Sequence, residues 1–266
     1  MLGAIAGDIV GSAYEFAGCK TKAVPLFTPE STFTDDTILT VAVAEGVLAQ
    51  ASGGQANYTQ RFKRYYRRYP NPCGGYGVRF QTWAASPTCE PYNSWGNGAA
   101  MRVSPVAYAF DRLEPVLAAA TATATVTHNH PEGIKGAQAT ATAVFLARQG
   151  HSKDAIAAEV TARFGYDLSR SLDQIRPHYQ FDESCQGTVP EAITAFLEAT
   201  DFEDALRNAI SLGGDADTLT CITGAIAEAF YGEVPAPIAD AVWQRLDPPL
   251  RQTIATFRAE YLPILT

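Results

Sequence analysis

Thr34-Asp35-Asp36-Thr37 and Asp215-Ala216-Asp217-Thr218 are two short acidic clusters, far apart in the chain, that offer only hard oxygen ligands. Each is followed by an apolar run, Ile38-Leu39-Thr40-Val41-Ala42 and Leu219-Thr220-Cys221-Ile222, so each is expected at the start of a buried helix. Consecutive side chains inside a helix diverge by roughly 100°. At a cap and first turn they project past the helix end and can converge. Four carboxylates with the Thr34 and Thr218 hydroxyls at close quarters would require a cation, and an all-oxygen set favours Mg²⁺, Mn²⁺ or Ca²⁺ over Zn²⁺. The donor count suffices for two ions about 3.5–4 Å apart. The plainer reading is capping, because Asp and Thr are preferred at helix starts and first-turn acids complement the helix dipole; their recurrence favours a shared metal site.

The elements that would position these groups are helical. Apolar spacing predicts helices near 99–110, 114–125, 132–149, 153–164, 190–199, 202–211, 236–246 and 250–261, besides those opened by the acidic clusters. The alternation from Ala120 to Val126 is assigned to helix by its surroundings. With no convincing strand series, the expectation is an all-α fold, a single orthogonal multi-helix bundle over residues 1–266. Nothing like a linker, charge run or repeat divides the chain. In Tyr58–Tyr69, aromatics at 62, 65, 66 and 69 share one stripe while Arg61, Arg64 and Arg68 share another. A solvated amphipathic helix accounts for this better than RNA contact.

Composition narrows the function classes. Acidic residues outnumber basic ones, 28 to 20, which gives no electrostatic reason to expect nucleic-acid binding. Five cysteines, Cys19, Cys73, Cys89, Cys185 and Cys221, lack a C-x-x-C spacing and suit a reducing compartment. The opening Met1–Asp8 has no basic leader, and no apolar run approaches the roughly 18 residues of a membrane span. A cytoplasmic, monomeric protein is the expectation.

The unusual residues gather between helices. Tyr69–Gly77 and Ser94–Arg102 are Gly-rich lead-ins whose backbone N–H groups can hold phosphate, although glycines before helices also serve as simple turns. In Thr127-His128-Asn129-His130-Pro131-Glu132, two histidines at i, i+2 lack a third ligand and the H-E-x-x-H spacing of a zinc site. A capping turn is expected there, with one histidine reaching a ligand.

The set Gly-Ala-Ile-Ala-Gly-Asp-Ile-Val-Gly-Ser with Glu15, Phe-Thr-Asp-Asp-Thr, Gly-Asn-Gly-Ala-Ala-Met-Arg-Val-Ser-Pro, Thr-His-Asn-His-Pro-Glu-Gly and Gly-Gly-Asp-Ala-Asp-Thr resembles the ADP-ribosylglycohydrolase family, in that family's order, from residue 3 to about 232. The resemblance implies an all-α fold, two Mg²⁺ or Mn²⁺ ions, and hydrolysis of the bond between ADP-ribose and a protein side chain or small acceptor. Thr34, Asp35, Asp36, Asp215, Asp217 and Thr218 would then be metal ligands. Glu15 matches a glutamate with an acid/base or gating role, and Asp35 and Asp217 are the further catalytic candidates. The loop containing Ser94, Gly96, Asn97, Gly98 and Met101 corresponds to a diphosphate loop, His128 to a cleft histidine, and Gly75, Tyr76 and Gly77 to a loop near substrate. Asp8 also falls at a family position and is read as a buried structural acid. Two other functions compete. One is a non-catalytic, ADP-ribose-binding or crystallin-like relative. The other is a metal-dependent phosphatase or ADP-ribose diphosphatase, disfavoured because Asp215-Ala216-Asp217 opens a helix after Gly213-Gly214 and does not follow a strand.

Overall fold

The computed structural model describes residues 1–262. Among them the chain is all-α, with fourteen α-helices, a 3₁₀ turn and two isolated β-bridges, Thr34 to Cys73 and Gly96 to Ser184. No described helix is long and apolar enough to cross a membrane.

Helix α1 (Leu2–Gly11) is buried along its whole length. It lies against α12 (Ala216–Tyr231), the most extensive helix pairing in the fold. Three glycines one turn apart make this possible. A Cβ on Gly3 would collide with the Gly224 carbonyl, one on Gly7 with the Thr220 carbonyl, and one on Gly11 would lie 2.6 Å from Asp217 Cα. With only hydrogens in the seam the backbones touch, and Thr220 Oγ1 donates to Gly7 O at 2.6 Å. Helices α10 (Cys185–Leu197) and α11 (Phe202–Ile210) cover another side of α12, and α7 (Pro131–Arg148) packs on both α10 and α12.

Helix α2 (Asp35–Ala51) is attached to α1 through Asp8. This fully buried carboxylate accepts hydrogen bonds from Thr34 N (3.0 Å), Thr34 Oγ1 (2.7 Å), Thr37 N (3.0 Å) and Thr37 Oγ1. A buried acid is tolerable when its oxygens are satisfied in this way. Burial raises its pKa to about 6, against the pull of the four donors. The outer face of α2 carries α3 (Tyr58–Arg68), which buries Phe62 and Tyr65 and offers Arg61 and Arg64 to Glu45. Its basic stripe is the polar side of an amphipathic helix.

The structure departs from the expected elements in three respects. The stretch 99–110 is not one helix: α5 covers only Gly98–Met101, and Ser104–Tyr108 is a 3₁₀ turn beginning at Pro105's neighbour. Pro105 has no N–H to continue the helical ladder. Helix α10 starts five residues before Pro190, with Ser184 as its cap, and holds the proline inside. Two short helices, α4 (Val78–Ala85) and α9 (Leu172–Ile175), were not expected. Glu15 itself lies in the turns that follow α1. The remaining boundaries of α6 (Leu113–Ala124), α7, α8 (Lys153–Phe164), α13 (Ala236–Arg245) and α14 (Pro248–Tyr261) fall within two residues of expectation.

The glycine seam makes a direct prediction. Gly7→Ala forces α1 and α12 apart and should cost about 3 kcal/mol or more. Gly77→Ala, where an added Cβ meets nothing, should stay within about 0.5 kcal/mol. Urea denaturation of the two variants checks the difference; equal stabilities would remove the seam from the account.

Candidate active site

Both acidic clusters reach the same place. Asp35 and Asp36 stand on the first turn of α2, and Asp215 and Asp217 at the start of α12. All four line one cleft of about 420 Å³, together with Glu15, Thr218 and the Gly-rich loops. The two helix tips are linked by Thr218 Oγ1, 3.4 Å from Asp36 Oδ1. Glu15, Asp215 and Asp217 each offer an oxygen within 4.8 Å of the others.

Local geometry separates capping from ligation. Thr34 is the true cap of α2, accepting from Asp36 N at 3.2 Å while its hydroxyl proton goes to Asp8. One lone pair is left on Thr34 Oγ1 for a cation. Asp215 occupies the cap position of α12 but its side chain caps nothing there. It accepts instead from Asn97 Nδ2 at 2.7 Å, and the same amide donates to Thr188 Oγ1 at 3.0 Å. Asn97 therefore ties the Gly-rich loop to the acid cluster while lining the cleft. Gly213 and Gly214 turn the chain into α12 with φ of 62° and 106°, and a Cβ at Gly214 would press on the Tyr179 ring at 2.8 Å.

The electrostatics are those of crowded like charges. Burial, then the charges of Asp8 and Asp215, raise Asp35 well above the ordinary carboxylate range. Burial, then Asp8 and Asp35, do the same to Asp36, and burial with Asp215 and Asp36 raises Asp217. Glu15, half-buried, is pushed up to about 7 by burial and by Asp215, Asp8 and Glu183. Asp36 Oδ2 is buried with no hydrogen-bond partner, a costly arrangement for a carboxylate oxygen unless another donor or a cation faces it. Hard oxygens, mutual repulsion and an orphaned acceptor together fit one or two divalent cations. Asp35, Asp36, Asp215, Asp217 and Thr218 have the donor atoms to hold them, and Glu15 borders the same space.

The other expected residues form the walls. Ser94 Oγ accepts from Gly96 N at 3.1 Å, and Gly98 and Met101 follow along the cleft in α5. His128 lines it and His130 does not: His130 Nδ1 caps α7 by accepting from Glu132 N at 3.1 Å. The expected capping turn is therefore present, with the other histidine facing the cleft. Tyr76 donates to Tyr69 O at 2.8 Å and stacks on Phe80 with centroids 5.3 Å apart, so it supports the loop from behind while lining the cleft. Gly75 lies beside it with φ of 84°, but the closer approach to the acids is made by Gly74, where a Cβ would sit 2.7 Å from Glu15 Oε2.

Several lining residues had no signal in the sequence. Phe16 and Phe181 stack at 5.9 Å with rings 21° apart, both largely exposed. Glu183, Tyr92 and Arg79, with Arg102 from the end of the Gly-rich stretch, complete the walls. Phe181 and Glu183 come from the connection before α10, which no motif marked; an exposed aromatic pair drawn from positions 16 and 181 is visible only once the chain has folded.

Comparisons with known proteins identify the family. A model of the ADP-ribosylglycohydrolase family matches residues 1–261. ADP-ribosylhydrolase ARH3 of Mus musculus is 28% identical over 320 residues, covering 92% of this chain and 85% of that protein. ARH3 of Gallus gallus is 30% identical, covering 77% and 71%, and the ADP-ribosylarginine hydrolase Tri1 of Pseudomonas putida (strain GB-1) is 26% identical, covering 87% and 69%. A solved structure described as an ADP-ribosylglycohydrolase-related protein complex superposes with a TM-score of 0.69 at 27% identity, over 98% of this chain and 96% of that one. A family match across nearly the whole chain, and an all-α fold with its acids gathered in one cleft, place this protein in the ADP-ribosylglycohydrolase family.

Proposed function

We propose that the chain is a di-metal ADP-ribosyl hydrolase that cleaves the glycosidic bond between ADP-ribose and an arginine or serine side chain, or a small acceptor. The observation that carries this reading is the convergence of Glu15, Asp215 and Asp217 within 4.8 Å at the floor of the cleft, beside the α2 acids. Thr34, Asp35, Asp36, Asp215, Asp217 and Thr218 are the proposed holders of two Mg²⁺ or Mn²⁺ ions. When bound, such ions supply positive charge that neutralises the acids and polarises the oxygens they contact.

The chain's own residues do the rest. Bond cleavage at an anomeric carbon builds positive character on the sugar and negative charge on the leaving atom. Of Glu15, Asp35, Asp36, Asp215 and Asp217, Glu15 alone stands outside the two helix tips, and its Oε2 borders Gly74. There it can give a proton to the leaving atom or take one from the attacking water. The Ser94–Met101 loop and Gly75–Tyr76 bound the space for the rest of the nucleotide, and Asn97 holds Asp215 in register with that loop. The Phe16 and Phe181 rings offer a flat apolar face at the rim.

Incubation with arginine- and serine-linked ADP-ribosyl peptides in Mg²⁺, with product analysis, tests the reading. Free ADP-ribose is the expected product. AMP or inorganic phosphate would turn the assignment to a phosphohydrolase, and binding without release would turn it to a non-catalytic relative.

Asp35→Ala and Asp217→Ala should each lower turnover at least about 100-fold and weaken Mg²⁺ binding in calorimetry; near-normal rates in saturating Mg²⁺ would count against the site. Glu15→Gln should lower kcat by about 10²–10⁴ while ADP-ribose affinity changes little, and parallel losses in both would contradict its role.

Metal removal gives a third test. In chelator, the raised carboxyls hold protons more tightly in the folded chain than in the unfolded one. Stability then falls as pH rises, from the ordinary carboxyl range through the Glu15 value of about 7. Asp36→Asn should raise the Tm in chelator and reduce the stabilisation that Mg²⁺ gives the wild type. Thermal melts with and without Mg²⁺ check both signs.

A further inference from the structure

His128 lies in the cleft wall, in the connection between α6 and α7, and is 5% exposed. Its Nδ1 is 2.7 Å from Thr127 Oγ1. That oxygen accepts a 2.8 Å hydrogen bond from Arg102 Nη2, which also donates to Thr123 O at 3.0 Å. Arg102 is fully buried, and its guanidinium packs over the Phe62 ring at 4.3 Å. Its Nε and Nη1 have no partner. A cation buried this deeply, with part of its donor set unused, is expensive, and what it holds in place is the Thr127 hydroxyl.

The proton count along this row favours one histidine tautomer. A guanidinium only donates, and a hydroxyl oxygen has two lone pairs and one proton. Arg102 fills one lone pair of Thr127. Among the described residues the hydroxyl has one other hydrogen-bond partner, His128 Nδ1. The Thr127 proton is satisfied there only if that nitrogen is bare. Burial, with the nearby Arg102 and Arg79 charges, holds the imidazole well below its ordinary pKa of 6.5, so the ring is neutral and its one proton sits on Nε2. That nitrogen faces the two glycines of the loop: a Cβ on Gly98 would be 3.2 Å from it and one on Gly96 3.6 Å. Among the described residues Nε2 has no hydrogen-bond partner.

We infer that Arg102 and Thr127 are positioning residues that hold His128 as its Nε2–H tautomer, so that the cleft presents one fixed donor beside Gly96 and Gly98 and takes a ligand oxygen there. The identity of the ligand as ADP-ribose rests on the proposed function; the tautomer does not. The opposite arrangement, with Nδ1–H donating to Thr127, would leave the buried Thr127 proton without an acceptor among the described residues and would offer the ligand a lone pair that repels its oxygen.

Long-range ¹H–¹⁵N NMR of the full chain labelled at histidine reads the tautomer, with His128 identified by loss of its signals in His128→Asn. The wild type should show a protonated Nε2 and a bare Nδ1. Thr127→Val, nearly isosteric, should lose this bias and bind ADP-ribose about tenfold more weakly, and Thr127→Ser should restore both. A protonated Nδ1 in the wild type overturns the inference, as does a Thr127→Val protein with unchanged tautomer or unchanged affinity. Should Thr127→Val fail to fold, the wild-type spectrum decides alone. A wild type that binds no ADP-ribose would sink the proposed function and leave the tautomer reading intact.

Discussion

The contact between the backbones of α1 and α12 is the constraint from which the site follows. Gly3, Gly7 and Gly11 remove the α1 side chains from the seam, so that its backbone meets the Gly224 and Thr220 carbonyls, and the separation of the two helices is set largely by peptide groups, which cannot adjust as rotamers can. Gly11 bears directly on the Asp217 backbone, which fixes the tip of α12. One residue along from Gly7, Asp8 takes four donors from the start of α2 and fixes that tip as well. Helix α1 thus acts as a gauge between two acidic clusters while contributing no residue to the cleft wall itself.

Holding those tips together carries an electrostatic cost that the rest of the site manages. Asp8 keeps its charge but has its oxygens filled by four donors, and Asp215 is partly satisfied by Asn97. Asp35, Asp36 and Asp217 are left with raised proton affinity, and Asp36 with an unpartnered oxygen. The division is instructive. Acids whose work is structural are saturated by protein donors, and acids that face the cleft are not. A cleft wall that keeps its histidine neutral beside a buried arginine continues the theme on the other side, where charge is withheld from the ring and a single N–H is left.

Much of this was legible before folding. The Asp-Asp-Thr and Asp-x-Asp-Thr clusters announced helix starts because carboxylates and hydroxyls suit exposed N–H groups, and the apolar runs after them announced burial. Asp8, at a position the family resemblance marks, was read as a buried structural acid. What escaped depended on partners distant in the chain. The Gly-x-x-x-Gly-x-x-x-Gly spacing of α1 was present, yet its meaning needs α12. Asn97 looked like part of a phosphate loop, and its bond to Asp215 spans 118 positions. The break after Met101 escaped because the apolar periodicity runs on through Val106 and Tyr108 while Pro105 interrupts only the hydrogen bonding. Gly75 stood out from the loop pattern, but which of three glycines touches Glu15 is decided by backbone direction, and it is Gly74.

The seam also sets an order of events on the ribosome. Helix α1 is made well before α12, buries all ten of its residues in the finished protein, and cannot do so until α12 has been made. About 200 residues separate them, which at ~5–20 residues per second is on the order of 10–40 s of synthesis. For that interval an apolar, glycine-notched segment must wait without its partner, which makes it the part of the nascent chain with most to gain from a chaperone.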